Sequence, residues 1–143
     1  MSASILQNTT GTAPARRTLD KGLLAGRILT GIALAFLTFD TVFKLIGASE
    51  AVEGTMKLGF TAQHLTIIGL IELACLVVYV IPRTSPIGAV LFTGYFGGAI
   101  VTHLRLDNPL FSHILFPTYL GAMMWLGLYL RDARVRTLLH PKS

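Results

Sequence analysis

The sequence predicts an all-α integral membrane protein, a bundle of four helices with both termini in the cytoplasm. Three observations predict it. Four apolar segments each supply the roughly 20 residues that a helix needs to cross a bilayer. Of 143 residues, 52% are hydrophobic and 13% are charged, with a mean hydropathy of +0.65. That is about half the roughly 25% charge of a soluble domain, too little to cover a water-facing globule. The lysines and arginines, finally, fall unequally on the two sides of the spans.

The spans follow in order. The first is Gly22 to Ile46, "GLLAGRILTGIALAFLTFDTVFKLI". The second runs from about Phe60 to Ile81 and is ended by Pro82. The third runs from about Pro86 to Leu104, and the fourth from about Leu110 to Leu130, ended by "RDARVR". Lipid offers no partner for an open sheet edge, so each isolated span is a helix. "PRTSP" between spans two and three only reverses the chain, which makes those helices an antiparallel hairpin. "RLDNP" is a second tight turn, and "GASEAVEGTMKLG" is the longest link, polar and glycine-rich. Residues 1–21 are expected to be a disordered cytoplasmic tail, 22–134 the membrane domain, and 135–143 a basic cytoplasmic tail beside anionic headgroups. Nothing in that basic tail calls for nucleic acid.

With four spans both termini share a side with "PRTSP". That side carries Arg16, Arg17, Lys21, Arg83, Arg131, Arg134, Arg136 and Lys142, eight positive residues. The other carries Lys44, Lys57 and Arg105, and Arg27 lies within span one. The positive-inside rule therefore places the termini in the cytoplasm.

Small residues let helices approach closely in lipid, where packing drives association. Gly94 and Gly98, with Gly97 beside them, strip one face of the third helix, and Gly22 and Gly26 repeat the pattern on the first. Close helix packing is the expectation for all five, with a dimer face or a ligand groove as the alternatives.

The polar residues carry the functional signal. Glu72, in "GLIELACLV", lies mid-span, where an acid costs about 2.5–3.5 kcal/mol and must face the bundle with a partner. At helical spacing Thr61, Leu65, Ile68, Cys75 and Tyr79 fall near the same face. Asp40 and Lys44, at i and i+4, are placed to pair. His64, His103 and His113 sit at one level with Arg105 at the outer ends of their helices. The expectation is one polar site lined by Asp40, His64, His103, Arg105 and His113, with Glu72 at its floor. Such a set can bind a metal, hold a quinone or an anion, or pass protons. No phosphate loop, catalytic triad or helical zinc motif is present, and the only cysteine, Cys75, excludes a disulfide within the chain.

The run "GLIELACLVVYVIPRTSPIGAVLFTGYFGGAIVTHLR", together with "FDTVFKL" in the first helix and "LRD" after the last, resembles the DoxX-like family of small four-helix membrane proteins. The resemblance spans about residues 22 to 134. It implies a multi-pass protein of the bacterial cytoplasmic membrane, associated with redox chemistry, a quinone or a partner redox protein. Two other readings stand beside it: a small proton-coupled transporter or channel, acting as a homo-oligomer, and a non-catalytic assembly or stress-response protein.

The charge asymmetry sets a test of orientation. A reporter active only in the cytoplasm should give signal at the C-terminus and none within Ala51–Met56. The reverse pattern would place the histidine level on the cytoplasmic side.

Overall fold

A computed structural model describes residues 20–141, so the expected disordered tail lies outside the described residues except at its last two positions. The described residues form six α-helices and one π-helical turn, without strands. Helix α1 is Lys21–Leu45, α2 Ser49–Lys57, α3 Ala62–Val80 and α4 Ser85–Arg105. The π-turn Leu110–Ile114 runs into α5, Phe116–Arg131, and α6 is Ala133–Leu139. Four segments are long and apolar enough to cross a membrane: α1, α3, α4 and Leu110–Arg131. They agree with the expected spans to within about two residues at each end.

The four long helices close into a ring. α1 packs on α3, α3 on α4, α4 on α5, and α5 back on α1. Their shared interior holds Leu37, Cys75, Leu76, Tyr79, Phe92, Phe96, Met124 and Leu128. Tyr79 Oη donates to the Met124 carbonyl at 2.9 Å, which ties α3 to α5 across the ring. Large apolar side chains point outward instead, among them Ile28, Ile32, Ile67, Val77, Val90 and Val101, each more than half exposed. A surface this apolar is suited to lipid and not to water.

Two glycine contacts set the spacing. A Cβ at Gly26 would come within 2.9 Å of the Gly127 carbonyl, and one at Gly127 within 3.0 Å of the Gly26 carbonyl, so α1 and α5 touch through their backbones. A Cβ at Gly88 would overlap the backbone of Tyr79, which fixes the α3–α4 hairpin. Ser85 Oγ closes that hairpin by donating to the Tyr79 carbonyl at 2.5 Å.

Of the five glycines expected to pack helices, only Gly26 does so. A Cβ on Gly22 would meet only the Asp20 side chain that caps its own helix, at 3.3 Å. Gly94, Gly97 and Gly98 have open space within 4 Å. The reason is rotational: α4 buries Gly88, Ala89, Phe92 and Phe96, and Gly94 and Gly98 lie on a different face, bordering a cavity.

The longest link is not a plain loop. It holds α2, flanked by Gly47 and Gly59 at φ +64° and +84°, conformations that favour glycine. After α5, Asp132 caps α6 by accepting from the Arg134 amide at 2.9 Å. Hydrogen bonds from the Arg134 side chain hold the Asp132 carboxyl below the usual carboxylate range. Arg134 also donates to the Pro82 and Arg83 carbonyls, so α6 is tied to the α3–α4 turn, with Val135 buried beneath it.

Gly26→Leu should therefore lower stability in detergent by about 1–3 kcal/mol, the usual cost of overpacking. Gly94→Leu and Gly98→Leu should melt at or above the wild-type temperature. The opposite ranking in a thermal melt would show a close helix contact at Gly94 and Gly98 and none at Gly26.

Candidate functional site

The site begins at the last turn of α1, where a cation is favoured by the helix dipole. There Lys44 points its side chain into the ring. Its stem lies against Gly69 of α3, where an added Cβ would come within 3.1 Å of Lys44 Cβ. One helical turn along α3 from Gly69 is Glu72. Lys44 Nζ donates to Glu72 Oε2 at 2.8 Å, to Tyr95 Oη of α4 at 2.9 Å, and to Asp40 Oδ2 one turn back on α1. Tyr95 Oη in turn donates to Glu72 Oε2 at 3.0 Å. Three helices meet at one ammonium group.

This arrangement uses all three ammonium hydrogens and the phenol hydrogen. Glu72 is fully buried, the Lys44 side chain is 15% exposed, and Asp40 is 38% exposed. Two acids against one lysine give the cluster a formal charge of −1 when both acids are ionised. Glu72 Oε1 has no hydrogen-bond partner among the described residues. A buried acceptor without a donor is costly, and such groups concentrate where function holds them.

The cluster forms the inner end of a cavity of about 920 Å³. Phe36 and Leu37 of α1, Ile68 and Ile71 of α3, Phe96 of α4, and Phe116 and Leu120 give it apolar walls. Gly94 and Gly98 leave the α4 wall open. Helix α2 covers one side with Glu50, Thr55 and Lys57, and His103, Asn108 and His113 line the other end. The π-turn, between Pro109 and Pro117, is what carries His113 to that position. The His103 and His113 rings lie 5.7 Å apart, and Asn108 Nδ2 is 2.9 Å from His103 Nδ1.

Four of the six expected residues thus line one cavity: Asp40, Glu72, His103 and His113. His64 does not. Its Nδ1 accepts from the Thr61 amide at 3.1 Å, capping α3, and the side chain is exposed beside Phe60. Arg105 does not either; it donates to the Leu58 carbonyl at 3.1 Å and ties the end of α4 to the α2–α3 link. No group of three metal-ligating side chains occurs among the described residues. Sequence reasoning paired Lys44 with Asp40 but did not extend it to Glu72, and it passed over Tyr95. The signal available was Gly69-x-x-Glu72: a small residue one turn from a lipid-embedded acid makes room for an incoming cation.

The model of the DoxX-like family matches residues 28–127, well over half of the chain. No curated protein and no solved structure matches it. The chain belongs to the DoxX-like family. The matched range contains all four residues of the cluster.

Removing the lysine alone should leave two acids facing each other without a cation. Lys44→Met is expected to destabilise the bundle by about 3–5 kcal/mol, the cost of breaking a buried pair. Lys44→Met combined with Glu72→Gln should recover most of that loss in the same detergent melts. Equal stability of wild type and Lys44→Met would remove the cluster from its structural role.

Proposed function

We propose that this DoxX-like chain is a multi-pass protein of the bacterial cytoplasmic membrane that holds a quinone-type ring in its cavity, beside a partner redox protein. One observation supports the reading above the others: apolar and aromatic walls lead to a polar cluster of Asp40, Lys44, Glu72 and Tyr95, opposite His103, Asn108 and His113 at the other end. A ring with an apolar tail and polar oxygens has that same division. The volume lies in the usual range for small-molecule sites, about 300–1,000 Å³. Phe36, Phe96 and Phe116 offer ring faces and edges, and the cluster supplies orientation.

The unpaired Glu72 Oε1 and the surplus acid favour a second reading, proton-coupled transport through an oligomer. Proton flux in liposomes that depends on Glu72 would select it.

The quinone reading is tested by titrating decylubiquinone, oxidised and reduced, into the purified protein in nanodiscs. Saturable binding near one ring per chain is expected. Gly98→Trp, which fills open space in the cavity wall, should weaken it by at least about tenfold, roughly 1.4 kcal/mol, with the melting temperature kept. Partition that never saturates for either redox form, or Gly98→Trp binding as wild type, would overturn the reading.

A further inference from the structure

The inner end of the cavity is unequal in hydrogen bonding. Every donor in the cluster is spent within it. The three Lys44 hydrogens go to Asp40, Glu72 and Tyr95, and the Tyr95 hydrogen goes to Glu72. What remains at this end are acceptors, while Lys57, His103, Asn108 and His113 line the cavity elsewhere. Glu72 Oε1 is buried without a partner, and Asp40 accepts from Lys44 through Oδ2, which leaves Oδ1 to an occupant. Asp40, at 38% exposure, is the acid that an occupant of the cavity meets.

We infer that the cluster end of the cavity selects the hydrogen-bond-donating, reduced form of a quinone-type ring, the hydroquinone, over the oxidised quinone. This rests on the quinone reading above and adds which redox form is held. A hydroquinone carries two phenolic O–H donors, and one of them can meet Asp40 Oδ1 in a charge-assisted hydrogen bond. A quinone has only carbonyl acceptors. Against Asp40 it sets lone pair against lone pair and gains no bond from Lys44 or Tyr95 unless the cluster breaks. At the cluster the same imbalance disfavours a carboxylate or phosphate head, because one more acid than base already stands there. Binding alone makes this distinction, and no electron is transferred.

The test compares three ligands on the full-length wild-type protein in nanodiscs without oxygen: decylubiquinone, its two-electron-reduced hydroquinone, and the dimethyl ether of that hydroquinone. The hydroquinone is expected to bind at least about tenfold more tightly than the quinone, roughly 1.4 kcal/mol. The ether has the same oxygens without the hydrogens and should bind like the quinone. Asp40→Asn should bring the hydroquinone-to-quinone ratio towards one. That ratio is read on whichever variants fold, and the wild-type comparison decides without them. Equal or tighter binding of the quinone, or an ether that binds as tightly as the hydroquinone, overturns the inference while leaving a quinone-type site. Binding of none of the three overturns both.

Discussion

A lysine held between two acids inside a lipid-facing bundle is the constraint on which the rest of the molecule depends. Charge taken out of water is expensive, and the mutual attraction offsets the cost only when the geometry is good and the remaining hydrogens are used. Lys44 meets that condition because α1, α3 and α4 each bring a partner to its ammonium group. The ring order of the helices is what permits it. α3 lies between α1 and α4, and Gly69 lets the lysine stem reach Glu72. Water-soluble bundles place charge outside and apolar groups inside. Here the exterior is apolar, and a polar cluster adjoins the apolar core.

The cavity follows from how α4 is rotated. Its contact with α3 runs through Gly88, and its buried stripe continues through Phe92 and Phe96. That rotation turns Gly94 and Gly98 towards the space above the cluster, where their missing side chains enlarge a chamber and bring no helix closer. Tyr95, between them in sequence, places its hydroxyl on Glu72. The stretch "GYFGGAIVTHLR" thus makes both the wall of the cavity and, through His103, part of its rim.

The spans were legible in the sequence because lipid imposes a long apolar run that few other structures need. Glu72 was legible for the converse reason: an acid within such a run has no role on the lipid side. The partner of Glu72 was harder to read, since Lys44 pairs with Asp40 by helical spacing and with Glu72 only through the tertiary approach at Gly69. The glycines misled because spacing on a helix identifies a bare face without saying what faces it. His64 and Arg105 share a level with His103 and His113, but depth in a membrane does not fix direction around a helix. His64 turned to its own helix end, and Arg105 to a backbone carbonyl. The short helices α2 and α6 carry too few apolar residues to show a period. Their positions come from Thr55 and Val135, buried against the rest of the chain.

On the proposed reading the Lys44 cluster closes the inner end of a chamber that takes a ring-shaped ligand from the membrane. Photolabelling with an azido-quinone, followed by mapping of the adducts by mass spectrometry, tests it most directly. Adducts are expected on cavity residues, above all Phe36, Tyr95, Phe96 and Phe116, and excess unlabelled decylubiquinone should suppress them. Adducts confined to outward-facing residues such as Ile28, Val77 and Val90, and indifferent to competitor, would contradict it.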